Sequence, residues 1–237
     1  VTLVTTAKKA FPKLAYKTPR VMPDHSVHIT QLISYPIKSC AGIQHQNVSI
    51  NALGLEFDRQ WMVIDANGRF ISQRKYPKMA LIQPAIHGDR LHLQAPGMAA
   101  ISCAIKPSAD TCEATVWKDT LIVDKTDTDI NQWLSSYLDS SVQLVRYGTQ
   151  SHRQVDLQHT QTAQPVAFAD AFPLLVTHQA SLEQLNTQLS QAVGMERFRP
   201  NVVVSSDQPA WQELQWQQLG SAEVIIEVAK PCVRCVM

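Results

Sequence analysis

Two cysteines with two residues between them stand near the end of the sequence, in Lys230-Pro231-Cys232-Val233-Arg234-Cys235-Val236-Met237. Structural zinc would need four ligands, and so a second Cys or His pair of similar spacing. Cys40, Cys103 and Cys112 stand apart instead, no second Cys-x-x-Cys occurs, and the closely spaced histidines His25/His28 and His87/His92 lie far up the chain from the cysteine pair. A thioredoxin-like redox pair needs its first cysteine at a helix N-terminus, which lowers the thiol pKa from about 8.5. Only two residues follow Cys235 here, too few for that helix. A third chemistry is a thiolate ligand to a transition metal carried by an organic cofactor, with the neighbouring arginine holding the cofactor's anionic part. The bland alternative is a pair of buried structural cysteines, since unpaired cysteine is among the most buried residue types.

The elements that must position this pair are mostly strands. The run Ala222 to Ala229 just before it centres on Val224-Ile225-Ile226 and predicts a strand. From His28 onward, short runs alternate in hydrophobicity and are broken by turn residues, the texture of an antiparallel β domain. His28 to Tyr35 is the first, and Lys38-Ser39-Cys40-Ala41-Gly42 forms the loop beyond Pro36. Arg59 to Asp65 and Arg69 to Arg74 flank Ala66-Asn67-Gly68, and Asn-Gly predicts a tight hairpin because both residues tolerate positive φ. Further strands are expected at Ala80 to Ile86, Arg90 to Gln94, Ala99 to Ile105, Glu113 to Val116 and Val202 to Val204, with Gly88-Asp89 as a turn.

Two helices interrupt this pattern. Asp129 to Leu138 puts Ile130, Trp133, Leu134, Tyr137 and Leu138 on one face. Ser181 to Val193 carries a Leu182, Leu185, Leu189 stripe, with Ser181 and Gln184 as a capping box and Gly194 as the C-terminal cap. Residues 1–27 hold five scattered basic residues without periodicity and are expected to be a loosely attached extension. Gly148 to Pro165, polar and rich in Gln, His and Thr, is expected to be a linker or mobile loop. The domain boundary is placed there, dividing the chain into 28–148 and 149–237.

Composition narrows the function classes. With 237 residues, 45% hydrophobic and 17% charged, the chain can bury a sizeable core. A formal net charge of +1 offers no global field for nucleic acid or an acidic membrane, so any basic site must be local. Five irregularly spaced cysteines do not suggest a disulfide framework, and a reducing, cytoplasmic setting is expected. No stretch approaches the roughly 20 apolar residues of a membrane span.

The order of the motifs resembles the MOSC-domain molybdenum-cofactor proteins, in particular the amidoxime-reducing component and its bacterial relatives. The residues that carry the resemblance are Tyr35-Pro36-Ile37-Lys38-Ser39-Cys40, Asp58-Arg59-Gln60-Trp61, Ala180-Ser181-Leu182 with Leu185-Asn186, Phe198-Arg199-Pro200-Asn201 and Pro231-Cys232-Val233-Arg234-Cys235. The resemblance implies an α+β, mainly β fold: an N-terminal β-barrel domain, then a MOSC β-barrel with peripheral helices. It implies a molybdenum cofactor, with Cys235 as the metal ligand and catalytic residue, Cys232 as a packing neighbour, and Lys38, Ser39, Arg59, Arg199, Asn201 and Arg234 as cofactor contacts. Such a set is what an anionic, hydrogen-bonding pterin needs.

The implied activity is reduction of N-hydroxylated compounds, hydroxylaminopurines or amidoximes, by oxygen-atom abstraction at molybdenum. The implied partners are a small-molecule substrate and an external electron-donor reductase or ferredoxin-like domain. A second implied reading, from the wider family, is a molybdenum-cofactor carrier or sulfur-transfer module; pyridoxal phosphate binding is implied only at that wider level. Relatives continue past the cysteine motif, so the MOSC domain is expected to be cut short, with any 2Fe–2S cluster confined to a C-terminal domain. Two departures from the pattern stand out. Asp170-Ala171-Phe172-Pro173 replaces small hydroxyl residues, and Val233 brings no side-chain donor, so contacts there are expected from the main chain.

Overall fold

The computed structural model describes residues 26–160, 163–221 and 223–233 in full, and residues 2–9 as backbone. The fold is α+β and mainly β. Its largest sheet has seven strands in the order Gln218–Gly220, Val224–Cys232, Thr2–Lys9, Leu174–His178, Val202–Ser206, Val27–Ser34 and Ile43–His45. Neighbours are antiparallel except Leu174–His178 and Val202–Ser206, which run parallel and so need a crossover connection. That crossover contains the helix Gln179–Asn186.

This sheet joins strands from all three stretches into which the sequence reading divides the chain. The extension expected to be loose supplies Thr2–Lys9, hydrogen-bonded on one side to Leu174–His178 and on the other to Val224–Cys232. Strand pairing is non-local, so punctuation along a chain marks its loops and not its partners. Thr2, Val4, Thr5 and Thr6 gave a β-branched signal that the lysines obscured.

A second sheet runs Thr111–Val116, Asp119–Lys125, Val142–Arg146, Trp61–Asp65. Its outer strands are tied by Arg69 and Phe70, which bridge to Thr115 and Ile64 respectively. Phe70 N donates to Thr115 O at 3.0 Å and Asp65 N to Arg69 O at 2.9 Å, so the ladder returns on itself. Closing the ring leaves fewer bare strand edges. Inside lie Met62, Ile64, Val116, Val123, Val145 and Phe168. Alternate residues of the same strand, Trp61 and Val63, face the opposite way. There they meet Ile130, Trp133 and Leu134 of the helix Thr128–Leu138 and Leu91, Leu93 and Cys103 of a three-stranded sheet. The helix thus buries the face its spacing predicts.

Several local expectations change. Gly68 alone in the Ala66-Asn67-Gly68 turn has positive φ, at 72°, and its N–H donates to Asp65 O at 3.0 Å. This is the three-residue hairpin whose last residue is left-handed, and Asp65 Oδ1 steadies it by accepting from Asn67 N and Arg69 N. The expected helix Ser181 to Val193 is Gln179–Asn186, and Ser181 does not cap it. Its hydroxyl is buried and donates to Glu213 Oε2 at 2.8 Å. The helix stops because Asn186 turns its amide onto Val193 N and O, closing the loop between them. The stretch Gly148 to Pro165 is anchored where it is described: Ser151, Arg153 and Val155 are buried. The run Ala80 to Ile86 begins in the short 3₁₀ turn Pro77–Leu81 before the strand Gln83–His87.

Candidate functional site

A cavity of about 400 Å³ opens where the loop after Val27–Ser34, the residues before Val202–Ser206, the segment 169–172 and the end of Val224–Cys232 meet. It is walled by Lys38, Ser39, Arg59, Arg199 and Asn201, five of the residues expected to contact a cofactor. Arg234 and Cys235 lie outside the described residues. Cys232, three positions before Cys235, lines the cavity as the last residue of its strand. Among the described residues no group of three or more His, Cys, Asp or Glu side chains is placed to hold a metal.

Ser39, Arg59 and Arg199 all sit in the left-handed region, at φ 71°, 47° and 53°. Trp117, on the cavity rim, has φ 56°. Each such residue costs of order 1–2 kcal/mol. Strain at four positions around one cavity marks it as the place where backbone direction matters more than stability.

Arg59 is the joint of the site. Its Nη1 donates to both oxygens of Asp58 at 2.7 Å and to Asn201 Oδ1 at 2.9 Å, and its Nη2 to Arg199 O at 3.1 Å. Asp58 is 2% exposed and also accepts from Tyr35 N at 2.8 Å. Burial pushes its carboxyl above the usual range, while Arg59 and the hydrogen bonds pull it back. Asn201 donates to Ile33 O and Asp58 Oδ1 and accepts from Leu175 N and Arg59. Both amide hydrogens and both acceptor lone pairs are thereby used. In this arrangement Asn201 ties three segments together and leaves its side chain no capacity for a ligand.

Arg199 differs. Its guanidinium lies 4.2 Å from the Tyr35 ring centroid, with that of Arg59 at 4.4 Å from the same ring. Yet its Nη2 is buried without a hydrogen-bond partner. Burial, then the neighbouring Arg59 charge, pull its pKa down to about 10, so it stays protonated at neutral pH. A buried cationic donor with nothing to donate to is costly, and an anion in the cavity would satisfy it.

Lys38 has a partner already. Its side chain is 7% exposed, and Nζ donates to Phe168 O at 2.9 Å and to the Asp170 carboxylate. Burial lowers its pKa and Asp170 opposes that shift. The Asp170 side chain is 68% exposed at the cavity rim. Loss of water there would raise its pKa, but the Lys38 charge and hydrogen bond more than offset this and hold it at about 2. Cys40, next to Ser39, is fully buried, and burial pushes its thiol up to about 12, which disfavours the thiolate form there.

Sequence reasoning missed the residues that hold this wall. Arg153 donates to Ala167 O, Ala169 O and Asp170 O, and its Nε to Asp119 Oδ2 at 2.8 Å, so it clamps the segment that meets Lys38. Asp58 and Tyr35 lie inside motifs that carry the resemblance, where the sequence shows no role for their side chains. Asp170 stands where the chain departs from those motifs, and a lone carboxylate beside a candidate cation site is the signal that could have found it.

Comparison with known proteins agrees with this geometry. The MOSC N-terminal beta barrel domain matches residues 26–141 and the MOSC domain residues 163–237. Mitochondrial amidoxime-reducing component 1 of Mus musculus is 32% identical over 220 residues, covering 88% of this chain and 64% of that protein. Mitochondrial amidoxime reducing component 2 of Rattus norvegicus is 31% identical over 222 residues, covering 88% and 65%. Molybdenum cofactor sulfurase of Drosophila grimshawi is 28% identical over 218 residues, covering 88% and 27%. The chain therefore spans just under two thirds of the first two relatives and about a quarter of the third. With both domain matches in family order and covering most of its length, the chain belongs to the MOSC-domain family.

Proposed function

We propose that the cavity seats a molybdenum cofactor and that the chain is the core of an oxidoreductase for N-hydroxylated compounds, hydroxylaminopurines and amidoximes among them. One observation carries the reading: the described side chains around the cavity include five cations, Lys38, Arg59, Arg74, Arg199 and Lys230, against one carboxylate, Asp170. With Asp58 counted behind Arg59, cations still exceed carboxylates by three around one cavity of a chain whose formal net charge is +1. Such a local excess suits an anionic ligand such as a pterin phosphate. The unpartnered Arg199 Nη2 fits the same group.

When bound, the cofactor would supply the two-electron reduction that cleaves the substrate's N–O bond, with electrons from a separate reductase or ferredoxin-like domain. The chain's own residues bind and orient. Arg199 and Ser39 would take the anionic part, Arg59 fixes the direction of both neighbouring loops, and Lys38 adds charge while Asp170 holds it in place. Cys235 is assigned as the soft thiolate ligand to the metal and Arg234 as a further cofactor contact.

The sulfur-transfer reading draws on the sulfurase relatives. The reductase is preferred because the chain spans more than twice the share of the amidoxime-reducing relatives, at higher identity. The test is metal and pterin content of protein produced with cofactor supply, then reduction of N-hydroxylaminopurine with an electron donor. Stoichiometric molybdenum and turnover, both lost in Cys235→Ala, are expected. Full activity in that variant, or bound cofactor that never turns over a hydroxylamine, would overturn the proposal.

A further inference from the structure

The cavity holds more positive charge than its deep wall explains. Lys38 is paired with Asp170 and Arg59 with Asp58, and Arg199 has its unsatisfied donor inside. Arg74 is left over. It is exposed, lines the cavity, and has no carboxylate partner among the described residues. Its guanidinium rests 5.4 Å from the centroid of the Trp117 indole.

Trp117 is itself unusual. It is 40% exposed, strained at φ 56°, and set at the rim by Phe70, whose ring centroid is 4.9 Å away. Its Nε1 donates to Asp170 Oδ1 at 3.3 Å, on the carboxylate that also holds Lys38. A large aromatic held open at a cavity mouth, at a backbone cost, presents a flat face that packing does not require. The cation above it is long, solvated and able to swing.

Resting on the reductase reading and narrowing its substrate, we propose that Arg74 and Trp117 form a rim subsite for a flat heterocycle bearing a phosphate, so that the preferred substrates are nucleotides of N-hydroxylated bases and not the neutral bases. The ring lies on the indole, and Arg74 leaves that face to pair with the phosphate. The exchange replaces a cation on a ring by a ring on a ring and an ion pair. At about 400 Å³ the cavity is at the low end for a ligand pocket, so a substrate joining a bound cofactor must use the rim.

The test is equilibrium binding of adenosine monophosphate and of adenosine, neither of which can be reduced, to the cofactor-loaded protein, with quenching of tryptophan fluorescence as readout. The monophosphate should bind at least about tenfold more tightly, a 1.4 kcal/mol preference. Arg74→Ala should remove the preference, while Trp117→Leu should weaken both ligands and cut the quenching. Equal binding of the two ligands overturns the subsite, as does a preference that survives Arg74→Ala or vanishes only in Arg199→Ala. The reductase reading is judged separately: a protein that shows the preference without reducing hydroxylaminopurine keeps the subsite and loses the activity. One that reduces base and nucleotide with equal kcat/KM, and binds both ligands alike, keeps the activity and loses the subsite.

Discussion

The parallel strands Leu174–His178 and Val202–Ser206 carry a polar cluster near each end, and the two clusters follow opposite rules. Near the first end, Asn201, Arg59 and Arg199 border a cavity, with Asp58 buried behind Arg59. Near the other, His178 and Glu213 are 1% and 0% exposed. Ser206 Oγ lies 3.0 Å from His178 Nε2, and Ser181 bonds Glu213. His178 Nδ1 is 3.6 Å from Glu213 Oε2, too far for a hydrogen bond, and both His178 Nδ1 and Glu213 Oε1 lack partners. Orphaned polar atoms therefore occur at both ends. The ends differ in space and sign: one combines surplus cations with a cavity and strained backbone, the other packs a buried imidazole and carboxylate against hydroxyls. A serine, a histidine and a carboxylate in contact are not a site unless a ligand can reach them.

The sharpest way to break this comparison is at the carboxylates. Asp58→Asn puts an amide against the Arg59 guanidinium and strips a buried charge of its counter-ion, which costs about 3 kcal/mol or more. Chemical denaturation should show a lower midpoint, and the variant should also lose cofactor content. Glu213→Gln keeps an oxygen for Ser181 and breaks no hydrogen bond to His178, so the loss should stay within about 1–2 kcal/mol, with cofactor content intact. If the two variants lose equal stability, the ends do not differ as argued.

How far the sequence reached follows the same division. Lys38, Ser39, Arg59 and Arg199 stand in motifs that carry the family resemblance, and the structure brings all four to one cavity. The positive φ of Ser39, Arg59 and Arg199 leaves no trace in the sequence, since only glycine announces it there. Asn201 is legible as a position, but nothing in Arg-Pro-Asn tells that its amide spans Ile33, Asp58 and Leu175. The strand Arg90–Gln94 shows through alternation, and Trp61–Asp65 through its apolar run ahead of the Asn-Gly turn. Asp119–Lys125, Val142–Arg146 and Leu174–His178 did not: the first is masked by charges, the last is buried at every position and so shows no period of two. The return of the second sheet through Arg69 and Phe70 depends on single bridges that no local pattern encodes.

A smaller effect separates paired from unpaired cations by pH. The Asp170 carboxyl is depressed to about 2 when folded, below the ordinary 3.9 of the unfolded chain. The folded state then prefers the ionised form, so its stabilisation is complete above about pH 4 and is lost as pH falls toward 2. The stability gap between the natural chain and Asp170→Asn should be flat above pH 4 and narrow below it. Because Asp170 is exposed, the gap should not exceed about 1 kcal/mol. A gap that widens on acidification would show that Asp170 does not serve Lys38.

The smallest change in stability should come from the residue with the largest functional burden. Arg199→Ala removes a ring contact to Tyr35, worth about 0.5–1 kcal/mol, but also removes a buried donor that has no partner and a charge that burial and Arg59 both disfavour. The terms oppose each other, and Arg199 O, which Arg59 uses, is a backbone group that alanine keeps. Stability should stay within about 1 kcal/mol of the natural chain, or rise. Cofactor content after reconstitution should fall at least about tenfold, the scale of one lost charge-assisted hydrogen bond. A residue that can be deleted with little cost to folding, in a strained backbone position beside a cavity, is retained for what enters the cavity. If Arg199→Ala instead unfolds the protein as Asp58→Asn does, the two guanidiniums on Tyr35 form one structural unit and the distinction between a joint and a binding group fails.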